Sequence, residues 1–382
     1  MRLAVGIIGC GCIGQEHIRN VLLADDAEVR AIVDPNAAML AKAAALVPAA
    51  HAYESVDAMD DVDAVIVCVP NHLHAHVVEQ VSRRLDVHIL CEKPLATTMA
   101  DCERIARCVR PDKIFAVGLE YRHIPPMKKL LDELPRIGEL KMLTIREHRF
   151  PFLAKVEKWN RHNNKTGGTL VEKGCHFFDF MALCCPGKSP GTVYARGGQA
   201  VNHKTTSDVA DHAVVVVDFD DVICTLELCM FAEASANQLE VSAVGDAGKI
   251  EAFAPAHGVK SHDGKPNFRI ATRVDRDWES AVDAPDELHT RGAVVESSIA
   301  IDPTLMEAGD HAGATYYQLV DFLQACRDNS KSSTLASVHD AALSVAIGLA
   351  AAQSITTKLP VPILLPPTFS RATFSSDDVS LA

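Results

Sequence analysis

In the first third of the chain, apolar residues fall in short uninterrupted runs separated by amphipathic stretches. The runs occupy 3–9, 29–34 (VRAIVD), 63–70 (DAVIVCVP), 87–94 (VHILCEKP) and 114–122 (IFAVGLEYR). Runs without alternation fit strands buried on both faces. Helical periodicity at about residues 15–23, at 37–46 and at 74–84 supplies crossovers between them, which makes βαβ units and a parallel sheet. The pattern changes further on. Residues 140–149 alternate and 150–166 are irregular. HAVVVVDF, VICTLELC, QLEVSAVG and GKIEAFAP then follow one another as short strands, with a hairpin signal at Asp246-Ala247-Gly248. Strands in succession without helices between them predict a largely antiparallel sheet. Two closing helices are expected at about 313–327 and 337–357. Residues 366–382, rich in Ser, Thr and Asp, read as a mobile tail.

The fold class expected is therefore an α/β domain with a doubly wound parallel (Rossmann) sheet at 1–122, then an α+β domain at 123–365 with a large open, mostly antiparallel sheet. A chain of 382 residues is too long for one ordinary core, which agrees with two domains. Its formal charge of −13 argues against a nucleic-acid or anionic-membrane partner. The amino terminus enters an apolar strand pattern at once, without cleavable-signal architecture, and no apolar run approaches the ~18 residues of a membrane span. The final Ser380-Leu381-Ala382 lacks the basic residue of a peroxisomal address. Twelve cysteines scatter through predicted strands and helices, as reduced thiols of a cytoplasmic protein would. Cys10-Gly11-Cys12 has no second pair at zinc-like spacing, so no metal is expected.

Gly9-x-Gly11-x-x-Gly14 follows the first strand and opens the first helix. Asp34, at the end of the second strand, stands 20 residues beyond the last glycine. That spacing suits a carboxylate gripping the adenosine ribose hydroxyls, with a pyrophosphate at the helix N-terminus. A carboxylate there repels a 2′-phosphate, so NAD is expected rather than NADP.

Two further stretches, VPNHLHAH at 69–76 and CEKP at 91–94, join the glycine motif and GGTLVEKGCHFFDF at 167–180. Together they resemble the glucose–fructose oxidoreductase / inositol dehydrogenase (Gfo/Idh/MocA) family, in order and spacing, through residue 180. The arrangement Gly174, His176, Asp179 is part of the likeness. The resemblance implies that Lys93 sits beside the nicotinamide and that a helix at the domain interface offers Glu172 and His176 to the hydroxyl being oxidised. The family's usual acid is Asp, so Glu172 is one methylene longer. Contacts implied for the nucleotide are Gly9, Gly11, Cys12, Ile13, Gly14, Asp34, Val69, Pro70, Asn71, His74, Glu92 and Lys93. Arg122, Trp159, Asn160 and Arg161 are candidates for the substrate beside Lys93, Glu172 and His176, and His311 and Tyr316 come near the cofactor. The open sheet implies subunit pairing, as a homodimer or homotetramer. A plainer reading pairs Glu172 with Lys173 and makes His176 a capped core histidine.

The residue types suit alcohol oxidation. His176 is a natural base, with a reference pKa near 6.5. Lys93 can stabilise a developing alkoxide, and burial beside a positive ring would lower its pKa. Glu172 orients His176 or takes the proton onward. The expected function is oxidation of a ring hydroxyl of a sugar, inositol or related polyol. The alternatives are NAD-dependent glycoside hydrolysis through transient oxidation, reduction of a dihydrodiol or carbonyl, and a non-catalytic nucleotide-sensing regulator.

Overall fold

Six strands pair in parallel in the order β3-β2-β1-β4-β5-β6: β1 Leu3–Ile8, β2 Ala27–Val33, β3 His51–Tyr53, β4 Ala64–Val67, β5 His88–Glu92 and β6 Phe115–Gly118. The computed structural model describes residues 2–202, 207–255, 266–273, 293–309 and 311–369. The strand order reverses between β1 and β4, which opens a crevice at their carboxyl ends. Helices Ala37–Leu46 and His74–Arg84 form where their periodicity predicts them. The first helix, Cys12–Leu23, starts earlier than expected and takes Cys12, Ile13 and Gly14 into its first turn. Three expected strands are shorter than their apolar runs. Pro70 and Pro94 have no N–H for a ladder, and Glu120–His123 turns into a 3-10 helix after β6. The edge strand β3 was not expected, because its residues are largely exposed and carry no apolar run.

The second sheet has nine strands in the order β14-β13-β12-β11-β7-β10-β9-β8-β15. They are β7 Leu140–His148, β8 Pro190–Gly198, β9 His212–Phe219, β10 Val222–Cys229, β11 Asn237–Gly245, β12 Gly248–Pro255, β13 Phe268–Thr272, β14 Val294–Ser297 and β15 Val361–Pro362. The β7–β10 pair is parallel and the other pairs are antiparallel. Alternation sets the inner face: Val215, Val217, Leu226 and Leu228 are buried against Phe177, Phe178, Phe180 and Met181 of the helix Gly174–Cys184. Val214, Val216, Met142 and Ile223 point to the exposed face.

The closing helices tie the two sheets together. Ala314–Asp328 buries Leu319, Phe322 and Leu323 with Ile7, Ile32 and Leu90 of the first sheet. Val338–Thr357 begins with a capping box, in which Ser337 Oγ accepts from Asp340 N and Asp340 returns the bond. One part of this helix, Ala341, Ala342 and Val345, packs on the first-sheet core, and another, Ile347, Ala350 and Ala351, packs on the second. Among the described residues it is the one helix long and apolar enough to cross a membrane, a feature that counting strict apolar runs misses; here it is packed between two sheets. The expected tail departs from that reading at Pro367–Phe369, where Phe369 is buried in the first-sheet core; 370–382 lie outside the described residues.

Gly348 lets this helix reach the segment that carries Glu172. A Cβ there would stand 2.4 Å from the backbone oxygen of Leu170. Alanine gains roughly 1 kcal/mol in helix propensity, yet forcing a methyl against backbone typically costs ~1–3 kcal/mol. Gly348→Ala should therefore lower the urea midpoint. A raised midpoint would show that the two helices part without loss.

Candidate active site

The glycine motif folds as three different solutions. Gly9 has φ +95°, and a Cβ on it would meet the Cys68 carbonyl at 2.7 Å. A Cβ on Gly14 would lie 1.9 Å from the Gly9 oxygen, so both positions are closed by the protein's own packing. Gly11 differs: among the described residues, its own chain neighbours aside, no atom lies within 4 Å of its Cβ position. The loop thus leaves an open cradle at a helix N-terminus, flanked by exposed Cys12 and half-buried Ile13. Asp34 Oδ2 accepts from Cys10 N and Oδ1 from Asn36 N, each at 2.8 Å. Each oxygen keeps a lone pair for a ribose hydroxyl. After β4, Val69 and Pro70 are half-buried, and Asn71 is buried with its Nδ2 lacking a partner among the described residues. These features fit a dinucleotide.

Two expected nucleotide contacts have other duties. His74 lies between two carbonyls, with Nδ1 2.8 Å from that of Pro94 and Nε2 3.0 Å from that of Val69, so it sits between the loop after β4 and the turn after β5, and its neutral ring donates to one of them. Glu92 takes His17 Nε2 at 2.7 Å on one oxygen and the backbone N of Lys93 at 3.1 Å on the other. Burial would raise its pKa, but His17 and Lys93 hold it below the usual value. It positions Lys93.

From that turn the Lys93 ammonium reaches across to the second domain and donates to the backbone oxygen of Glu172 at 3.1 Å. Glu172 ends the short helix Thr169–Glu172, so its carbonyl belongs to the group that helix ends leave available. Burial pushes Lys93 down, but Cys175, Glu120, Glu172 and Glu92 outweigh it and hold the pKa above the usual value. The lowering expected from sequence is not the direction found in the protein alone.

The Glu172 carboxylate is buried, 3.7 Å from Lys155 Nζ through Oε1, and Oε2 has no partner among the described residues. The plainer pairing with Lys173 does not form, because adjacent helical residues face apart. Lys173 instead meets Glu147 at 3.1 Å and the Tyr121 hydroxyl, and burial pushes its pKa down to about 8. His176 stacks on Tyr121 with ring centroids 4.3 Å apart. Its Nε2 lies 3.7 Å from Glu120 Oε1, and its Nδ1 is buried without a partner among the described residues. Burial first, then Lys93, Lys173, His311 and Arg149, hold its pKa well below 6.5, so the ring is neutral. A capped core histidine would have both nitrogens satisfied.

Residues 3–119 match the oxidoreductase family with an NAD-binding Rossmann fold, and 128–363 match that family's C-terminal alpha/beta domain. The chain belongs to the Gfo/Idh/MocA oxidoreductase family. It is an NAD-dependent oxidoreductase. Among members of the family it is 28% identical over 281 residues to an inositol 2-dehydrogenase of Rhizobium meliloti, covering 71% of this chain and 79% of the relative. A myo-inositol 2-dehydrogenase of Thermotoga maritima is 30% identical over 225 residues, 57% of this chain and 65% of that protein. The fold matches levoglucosan dehydrogenase in complex with NADH, with a TM-score of 0.75 at 20% identity over 96% of this chain and 100% of that one.

The other expected contacts of this family member divide. The Arg122 guanidinium is buried, with Nε 3.1 Å from Asp179 Oδ2 and further contacts to Asp340 and the Thr334 carbonyl, so its donors face the protein. Asn160 is also structural, bonding Lys155 N and the Leu153 carbonyl to shape its own loop. Trp159 carries Lys155 Nζ 4.6 Å over its ring, which places it next to the cation facing Glu172. The buried Arg161 guanidinium is held below its usual value by desolvation, which the charge of Glu172 partly offsets. His311 bonds Glu16 at 2.9 Å, and Tyr316 packs edge-on to Tyr317. Sequence reasoning missed Glu120, Tyr121 and Glu16. Glu120 and Tyr121 stand just past the carboxyl end of β6, where ligands of such sheets bind, and that rule could have found them.

Gly11 separates binding from folding. Its φ of −66° and ψ of −165° suit any residue, and its Cβ position is open. Gly11→Val should keep the melting temperature while filling the cradle. A forced contact of ~1–3 kcal/mol weakens NAD binding roughly 5–150-fold. Unchanged NAD affinity by calorimetry would place the nucleotide elsewhere.

Proposed function

We propose that this protein oxidises a ring hydroxyl of a sugar, inositol or related polyol. The reading is carried by one observation: the Lys93 ammonium, Nδ1 of His176 and Oε2 of Glu172, the last two without a partner among the described residues, come from two domains into one buried neighbourhood. When bound, NAD supplies the hydride acceptor. Neutral His176 takes the hydroxyl proton, and Lys93 holds the charge that develops on the oxygen. The free oxygen of Glu172 accepts a neighbouring hydroxyl, with Lys155 on the other carboxylate oxygen and Trp159 under Lys155. The inositol dehydrogenases among the relatives support this substrate class. All twelve cysteines are free, which supports a reducing compartment such as the cytoplasm.

Purified protein screened with cyclitols, aldoses and uronates should form NADH with a member of these classes. His176→Ala should then lose about 10²–10⁴-fold in kcat with NAD binding intact. The neutral ring is the working form, so falling pH switches activity off, and kcat/KM should show an acid limb below pH 6.5 that His176→Ala lacks. Lys93→Met should be slow at every pH. A lower melting temperature with near-normal turnover per folded His176→Ala molecule contradicts the catalytic reading.

We also propose a homo-oligomer built on the outer face of the second sheet. Met142, Val214 and Ile223 are each at least half exposed there. Light scattering should give a multiple of 41.2 kDa, and the double change Val214→Glu with Ile223→Glu should return the monomer. A 41.2 kDa species alone at micromolar concentration excludes such an assembly.

A further inference from the structure

The ionisable groups that this chemistry leaves unused form a line leading away from His176. Its Nε2 is 3.7 Å from Glu120 Oε1, and the same oxygen is 3.7 Å from His311 Nε2. His311 Nδ1 stands 2.9 Å from Glu16 Oε1, which also accepts from Thr315 Oγ1 at 2.8 Å. The members come from separate places: the helix Gly174–Cys184, the turn after β6, the segment before Ala314–Asp328, and the helix Cys12–Leu23. Side-chain exposure rises along the line, from 1% at His176 and 6% at Glu120 to 23% at His311. Glu120 Oε2 has no partner among the described residues. Both 3.7 Å gaps exceed a hydrogen bond, so a small side-chain rotation or one bridging water completes the line.

Alcohol oxidation leaves one proton per turnover inside this buried site. His176 is a poor place to keep it, because burial opposes a charge on the ring and Lys93, Lys173, His311 and Arg149 add to that opposition. Glu120 is suited to receive it. Burial and Glu92 raise its pKa more than His311 and Lys93 lower it. Next along, burial opposes a charge on His311, but Glu16 and Glu120 outweigh burial and Lys173 and lift its pKa to about 9.

We infer that Glu120 and His311 are the path by which the proton of the oxidised hydroxyl passes from His176 to solvent. The inference rests on reading His176 as the base. His176 bonds the proton as the O–H bond breaks and gives up the proton on its other ring nitrogen to Glu120. Glu120 passes a proton to His311 as His311 loses its own to water, and on product release a water takes the remaining ring proton of His176 and returns one to Nε2, which restores the tautomer. One proton and no electrons move along the line. Glu120 and His311 act through His176 and do not touch the reacting atoms.

The test uses Glu120→Gln and, independently, His311→Gln in the full chain. Each should lower kcat by roughly ten-fold or more, raise the solvent deuterium isotope effect, and regain rate as imidazole buffer is added, with the NAD dissociation constant unchanged. Slowed variants with an unaltered isotope effect and no response to buffer would mean that these residues only hold His176 in place, and the path would be rejected. Unslowed variants reject it as well. A second readout needs no turnover: nitrogen NMR of the imidazoles in the unliganded protein. His311 should titrate near 9, and Glu120→Gln and Glu16→Gln should each move it down. A His311 titration indifferent to both neighbours removes the line. Absence of NADH formation with every polyol counts against the proposed reaction alone, and the titration still decides the path.

Discussion

Lys93 carries a charged ammonium from the end of β5 into the buried junction between the two sheets, where it donates to the Glu172 carbonyl at 3.1 Å. Placing an ammonium there costs several kcal/mol unless acids surround it. The surroundings meet that condition: the carboxylates of Glu120, Glu172 and Glu92 all favour the charge. Glu92 is itself held by His17, and the carbonyl is available because Glu172 ends its helix. Behind that helix end, Gly348 lets Val338–Thr357 pack against the Leu170 backbone. The contact therefore depends on residues from both sheets and from the last long helix, and no separate part of the chain contains it.

The same concentration of charge sets two histidines in opposite states. Burial, reinforced by Lys93, Lys173, His311 and Arg149, keeps His176 neutral; His311 lies between Glu16 and Glu120 and is protonated. Their links to stability run in opposite directions. The folded pKa of His176 is depressed, so its contribution is full above pH 6.5 and is lost as pH falls towards the folded value. His311 is raised, so its contribution is full below pH 6.5 and is lost as pH rises through about 9. Near neutral pH one imidazole is thus uncharged and the other carries its proton.

What was legible in the sequence was what depends on neighbours along the chain. Helices Ala37–Leu46 and His74–Arg84, the alternation of β9 and β10, and the glycine turn follow from local periodicity and spacing. Partners distant in sequence were not legible. Arg122, a residue type suited to substrate, is taken by Asp179, and His74 lies between two carbonyls. Glu120 was hidden because the apolar run before it reads as one strand through Arg122, whereas the strand stops at Gly118. Phe369 sits in a stretch whose composition suggests a tail, yet it is buried in the first-sheet core.

The central claim is that one substrate oxygen is shared by the Lys93 ammonium and the His176 ring. The most direct measurement is a crystal structure of the protein with NADH and a polyol that it oxidises. The account predicts a hydroxyl oxygen at roughly 2.6–3.2 Å from both Lys93 Nζ and a ring nitrogen of His176. A polyol bound with its oxygens away from both groups, while Lys93 still donates to Glu172 and His176 stays sealed against Tyr121, would contradict it.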